Sequence, residues 1–149
     1  MKKLILLIVL LLALSISSCS LGHIEDTNGE ENFELSTLTE ADIFTYRSCT
    51  SVGTITSGTG NTFSFKCKKL SGKELIKTIT PNNRTLNVFI DFEITSGNAY
   101  LALIRDDAVY YEIGLNSAKN YTLSSGEDVK LVLLGESCSV SIKVEITQI

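Results

Sequence analysis

Few side chains in this sequence could do chemistry. Two acidic pairs, Asp106-Asp107 and Glu127-Asp128, stand in short polar stretches between apolar runs. Loop carboxylates can bind Ca²⁺ with help from carbonyl oxygens. They can also act as a glycosidase pair when held roughly 5–10 Å apart. Adjacent residues tend to point apart and turns are charged because they are wet, so both pairs read first as solvated turns. The chain has four cysteines, Cys19, Cys49, Cys67 and Cys138, and one histidine, His23. A zinc site would want paired cysteines at C-x-x-C spacing or a scaffold-held histidine, and neither is present. A Ser-His-acid triad needs a held histidine too, whereas His23 lies four residues after Cys19 in a polar stretch. There is no G-x-S-x-G, H-E-x-x-H or S-x-x-K. The "GTG" at 58–60 lacks the third glycine of a nucleotide fingerprint and reads as a hairpin turn. No cofactor is implied. Aromatic side chains are the last candidates. Tyr100, Tyr110, Tyr111 and Tyr121 cluster in sequence, and Phe89 faces away from the apolar side of its run. An exposed platform of such rings could stack on a sugar or anchor a protein. The plainer reading is core or edge tyrosines with the hydroxyl in water.

The first cysteine has a particular setting. Lys2 and Lys3 precede eleven apolar residues, Leu4 to Leu14, and then "SISSCS". A basic start, a short apolar run and small residues make an export signal. The run is too short for a spanning helix, which needs about 20 residues. Ile16-Ser17-Ser18-Cys19 resembles the lipobox of bacterial lipoproteins, with Ile16 where Leu is preferred and Ser18 where Ala or Gly is preferred. The resemblance covers residues 1–20. It implies cleavage after Ser18 and a diacylglyceryl thioether on Cys19, which would hold the chain on the outer side of a cell membrane or an outer membrane. Ser20 suits outer-membrane sorting.

With residues 1–18 removed, eleven Lys and Arg face seventeen Asp and Glu, a net charge of −6. Seven of those acids lie in residues 20–42, which have no Lys or Arg, while residues 43–149 hold eleven bases and ten acids. A near-neutral domain behind an acidic leader is a poor nucleic-acid binder, because phosphate neutralisation needs clustered bases. Acidic, polar and aperiodic, residues 19–42 read as a lipidated cysteine and flexible tether. One local exception is Thr37-Leu38-Thr39-Glu40, which fits a capping box and would start a helical turn.

From Ile43 the pattern becomes that of strands. Phe63, Phe65 and Cys67 alternate with Ser64, Lys66 and Lys68. Leu86, Val88, Ile90, Phe92 and Ile94 alternate with Asn87, Phe89, Asp91 and Glu93, and Val140, Ile142, Val144 and Ile146 with Ser141, Lys143 and Glu145. Period two marks a strand with one buried face. "YLALIR" and "KLVLL" are apolar throughout, as strands covered on both faces would be. Turn-like stretches at 57–61, 81–83, 96–98, 105–107, 124–128 and 135–137 divide residues 43–149 into eight or nine strands. These run roughly 43–55, 62–70, 73–79, 85–95, 99–105, 108–115, 119–123, 128–134 and 138–147. The expected fold is all-β, an antiparallel two-sheet β-sandwich, immunoglobulin-like or jelly-roll-like. In architecture the run from residue 85 onward resembles small exported bacterial β-sandwich domains, with no motif that transfers a function.

On this layout a hairpin centred near Gly58 puts Cys49 opposite Cys67, one candidate disulfide. Cys67 with Cys138 is another, and three reduced thiols buried as small hydrophobes is the third reading. The function expected is a membrane-anchored, non-catalytic module that binds an envelope protein or glycan. One rival is a carboxylate-based hydrolase of envelope polysaccharide, which requires carboxylates facing one concavity. Another is a protective or inhibitory lipoprotein, which requires an apolar patch such as one around Phe89.

Overall fold

The computed structural model describes residues 36–149. The expected export signal, Cys19 and His23 lie outside them. A six-residue helix, α1 (Glu40–Thr45), precedes seven strands: β1 (Cys49–Val52), β2 (Ile55–Thr59), β3 (Thr62–Ile79), β4 (Leu86–Arg105), β5 (Ala108–Ile113), β6 (Ser117–Leu123) and β7 (Val129–Gln148). All pairings are antiparallel, in the order β1-β3-β7-β4-β5, with β2 also on β3 and β6 also on β4.

β3, β4 and β7 are 18, 20 and 20 residues long, and each replaces two of the strands expected from the sequence. The polar stretches at 96–98 and 135–137, and the break at Ser71-Gly72, are bends inside strands. They occur at one level of the sheet. The β3–β7 register slips between Cys67 and Leu70 and between Leu70 and Gly72, and the β4–β7 register slips around Ser96. Gly72 (φ +102°), Gly97 (φ +77°) and Ser137 (φ +50°) take up the change of direction. Gly72 is required there, since a Cβ would overlap the Ser48 carbonyl oxygen. Bulges and bends of this kind let one strand pass from one layer to the next.

The bend gives the single sheet two halves. β2 and β6 pair with the half containing the start of β3 and β4 and the end of β7. β5 pairs with the other half, and β1 pairs with β3 at the bend itself, along Lys69–Gly72. Their inner faces meet in one core, where Phe65, Val88, Ile90, Phe92, Val140, Ile142 and Val144 from the first half pack with Ile79, Leu101, Leu103, Leu131 and Leu133 from the second. The fold is therefore all-β and two-layered, as the alternation predicts, with the layers joined through shared strands.

The second half is buried on both sides, as its continuous apolar runs predict. Tyr100, Ala102, Ile104, Val132 and Leu134 face outward and are covered by Leu38 and Ile43. Residues 38–42 thus belong to the packed domain and not to a tether. The reason is local: Leu38 and Ile43 find an apolar face to cover. The capping box forms two residues later than Thr37–Glu40. The Thr39 N–H and Oγ1 both donate to Asp42 Oδ2, at 2.8 and 2.7 Å. Thr37 Oγ1 is engaged by Asn98 Nδ2 instead.

Candidate functional site

Register forces the two acidic pairs together. Ile104 on β4 is opposite Lys130 on β7, so the turn that follows Arg105 and the loop that precedes Val129 must lie side by side. The β4–β5 connection is a two-residue hairpin closed by Arg105 and Ala108. Both its central residues, Asp106 (φ +53°) and Asp107 (φ +56°), are left-handed, the geometry a tight hairpin needs and aspartate tolerates. Asp106, Asp107, Glu127 and Asp128 line one open cavity of about 520 Å³ with Ile104 and Lys130. The expectation of separate solvated turns is corrected on this point. A strand register, invisible to local sequence, makes neighbours of residues twenty apart.

Arg105 braces this end of the sheet. Its Nη2 donates to the Ser124 carbonyl at 3.0 Å, and its guanidinium lies 4.6 Å from the centre of the Tyr110 ring. Its Nε is buried without a partner among the described residues. The neighbouring Asp106 carboxyl, through hydrogen bonding to the protonated form and through its charge, raises the Glu127 pKa above the ordinary carboxylate value; desolvation and Asp128 add to the shift and Arg105 opposes it. Two carboxyls this close disfavour carrying both charges, so the first proton is held more tightly. Among the described residues no three Asp, Glu, Cys or His side chains converge as a metal site would require. The Ca²⁺ reading of these four acids thus gains a shared cavity but no ligand cage. Arg105 and Lys130 have no place in the sequence reading; their only signal there is adjacency to the acids in "RDD" and "EDVK".

The four tyrosines do not form one exposed platform: Tyr100 lies apart and buried, and Tyr121 is buried. Tyr100 is buried under α1, on the outward face of the second half. Burial, with Glu112 and Glu40 nearby, pushes its hydroxyl up to about 12. Tyr121 belongs to the main core. Tyr111 lies between the other two rings, 4.5 Å from Tyr110 and 5.3 Å from Tyr121, and donates to the Thr122 carbonyl at 3.3 Å. Tyr110 is the exposed member, at 37 %. Phe89 is half-buried on the outer face of the first half, opposite Asn120 and Glu145. Asn87 and Asp91 share its face, and Asp91 pairs with Lys143 at 3.2 Å. The surface around Phe89 is polar, which counts against a protein-binding patch there.

Cys49, Cys67 and Cys138 are free thiols. The hairpin turns at Gly60-Asn61, between Thr59 and Thr62, and not at Gly58. Cys49 therefore falls opposite Gly72 and not Cys67. The Cys67 thiol instead accepts from Thr54 Oγ1 at 3.6 Å. Cys67 is opposite Val140 and Cys138 opposite Leu70, so the second expected pair is not face to face either. Burial, aided by Glu74, raises Cys49 to about 11, and burial raises Cys138 to about 11. Thiols held that far above neutrality are poor nucleophiles.

No family model matches the chain, and no curated protein matches it. Among solved structures it is similar to a cupin domain from Bordetella pertussis Tohama I, at 13 % identity and a TM-score of 0.33 over 66 % of this chain and 97 % of that chain. No residue role is carried over from that likeness.

Proposed function

We propose that this chain is a bacterial lipoprotein, acylated on Cys19 and held outside the cytoplasm on the cell membrane or outer membrane. Its β domain would serve there as a non-catalytic binding or envelope-associated module. The observation that carries this reading is Ile16-Ser17-Ser18-Cys19 directly after the apolar run Leu4 to Leu14. Two or three acyl chains anchor a protein firmly where one does so marginally. Sixteen residues, 20–35, separate Cys19 from the described domain; fully extended they reach at most about 55 Å. The partner is an envelope protein or glycan. Radiolabelled palmitate is expected to enter the wild-type chain and not Cys19→Ala, with the variant leaving the membrane fraction. Labelling that survives Cys19→Ala, or an unchanged membrane fraction without label, refutes the anchor.

One observation favours a second reading. The four carboxylates line a single cavity, as a carboxylate-based hydrolase of envelope polysaccharide requires. In that reading Glu127, whose pKa Asp106 raises, is the acid, and Tyr110 beside Arg105 offers a ring to a sugar. Purified chain incubated with peptidoglycan would release reducing ends, and Glu127→Gln would abolish the release. No release above a heat-treated control removes this reading and leaves the first untouched.

A further inference from the structure

The outward face of the second half is the part of the sheet that a separate segment covers. Tyr100, Ala102 and Ile104 on β4 and Val132 and Leu134 on β7 form it. Among the described residues, Leu38 and Ile43 pack upon it, five positions apart in a ten-residue strap, 36–45. A six-residue helix is far below the length at which helices hold themselves together, so α1 is helical because the face holds it. The polar ties are few. Ser36 Oγ meets Asn98 Oδ1 at 3.0 Å, Asn98 Nδ2 meets Thr37 Oγ1, and Lys73 Nζ donates to the Ile43 carbonyl at 2.8 Å. The strap adds no strand to the sheet. It joins β1 through Tyr46-Arg47-Ser48, and Tyr46 is already extended (φ −69°, ψ 133°).

The strap therefore has the character of a ligand carried on its own chain. We propose that this face is a docking site for a segment with two aliphatic anchors five residues apart, and that residues 36–45 of a second copy can fill it in trans, giving a strap-exchanged dimer. The contacts already made in cis define the occupant. Exchange keeps every one of them and changes only the direction taken by Tyr46 and Arg47, since the Ser48 carbonyl is held by the Lys73 N–H at 3.1 Å; this is the usual route to domain swapping. This inference does not depend on acylation of Cys19.

Two complementary full-length variants test it. Leu38→Asp with Ile43→Asp leaves a face without a usable strap. Ala102→Arg, projecting from the centre of the face, leaves a strap without a usable face. Each alone is expected to sediment as a monomer, and a 1:1 mixture as a heterodimer. If both keep the β-sheet circular dichroism spectrum and the mixture stays monomeric, the proposal is overturned. Should Ala102→Arg not fold, a labelled peptide of residues 36–47 replaces it. Saturable binding to the first variant, at least tenfold tighter than to wild type, supports the proposal, and no saturable binding overturns it. If the first variant does not fold, hydrogen exchange on the unaltered chain decides. Amides of 40–46 exchanging at least a hundredfold faster than those of Leu101, Leu103 and Leu131 show a detachable strap. Equal protection shows an integral one and overturns the proposal.

Discussion

Gly135 lies at the bend against the side chains of the core, and its replacement by alanine tests the account of how the two layers are joined. Gly135 pairs with Gly72 on β3 and with Ala99 on β4. A methyl group there would overlap the Cys138 Sγ and stand 2.6 Å from Leu70 Cδ2 and 3.2 Å from the Leu70 carbonyl oxygen. Comfortable carbon contacts lie near 3.5–4.0 Å. Gly135 is not among the positive-φ residues, so the cost is steric and not conformational. Overpacking of a filled core costs about 1–3 kcal/mol. For a domain of this size that lowers Tm by roughly 4–12 °C. Cys138→Ala removes the sulfur and should cost on the order of 1 kcal/mol, as for one buried methylene. In the double variant the new methyl occupies the space the sulfur has left, while Leu70 Cδ2, the free end of a side chain, can turn aside. The pair should therefore be less destabilised than the sum of the singles by about 1 kcal/mol, within the range measured for touching residues. Urea unfolding of the four proteins, followed by circular dichroism, measures this coupling. Additivity within about 0.5 kcal/mol, or a Gly135→Ala variant as stable as wild type, would mean that the corner is not packed as described.

Thiol chemistry gives a second prediction. With Cys49 and Cys138 raised to about 11 by burial, neither should react quickly with iodoacetamide at pH 7.5. After denaturation three thiols should react if Cys19 is acylated and four if it is not, so the count also probes the anchor. Glu127 provides the third. Its midpoint, followed by carboxyl NMR, should lie above the ordinary 4.5, and Asp106→Asn should lower it by removing the hydrogen bond and the charge. Because the folded form holds this proton more tightly than the unfolded one, the group favours folding below its unfolded pKa, and the contribution disappears as pH rises through the folded pKa. A midpoint at or below 4.5 that ignores Asp106→Asn contradicts the influence of Asp106 on Glu127. Asp42 behaves in the opposite sense. The Thr39 side-chain and backbone hydrogen bonds lower its pKa from 3.8, so its support for α1 is complete above that value and disappears as pH falls through the folded one. Between pH 7 and pH 3 the strap amides should lose protection relative to those of Leu131 and Leu133, and a ratio of protection factors that does not change with pH would refute this.

Sequence alone determined the all-β class and the facing of most strand residues. Alternation is a covalent property of extended chain, so Val88, Ile90 and Phe92, or Ile142 and Val144, can share only one side. It also determined that Leu101 and Leu133 lie in strands covered on both faces, since no alternation survives there. It did not determine whether 96–98 and 135–137 close turns or bend strands. Glycine and small polar residues serve both, and the outcome depends on whether a partner strand continues past the break. The disulfide expectations failed for a related reason: moving a hairpin turn by a few residues changes every cross-strand neighbour, and Gly58 and Gly60 are equally able to turn locally. The candidate site was legible only as two separate acidic pairs. The pairing of Ile104 with Lys130 makes them one cavity, and that pairing follows from burying two layers against each other. Chemistry and periodicity are written residue by residue, whereas adjacency between distant turns exists only once the core has chosen a register.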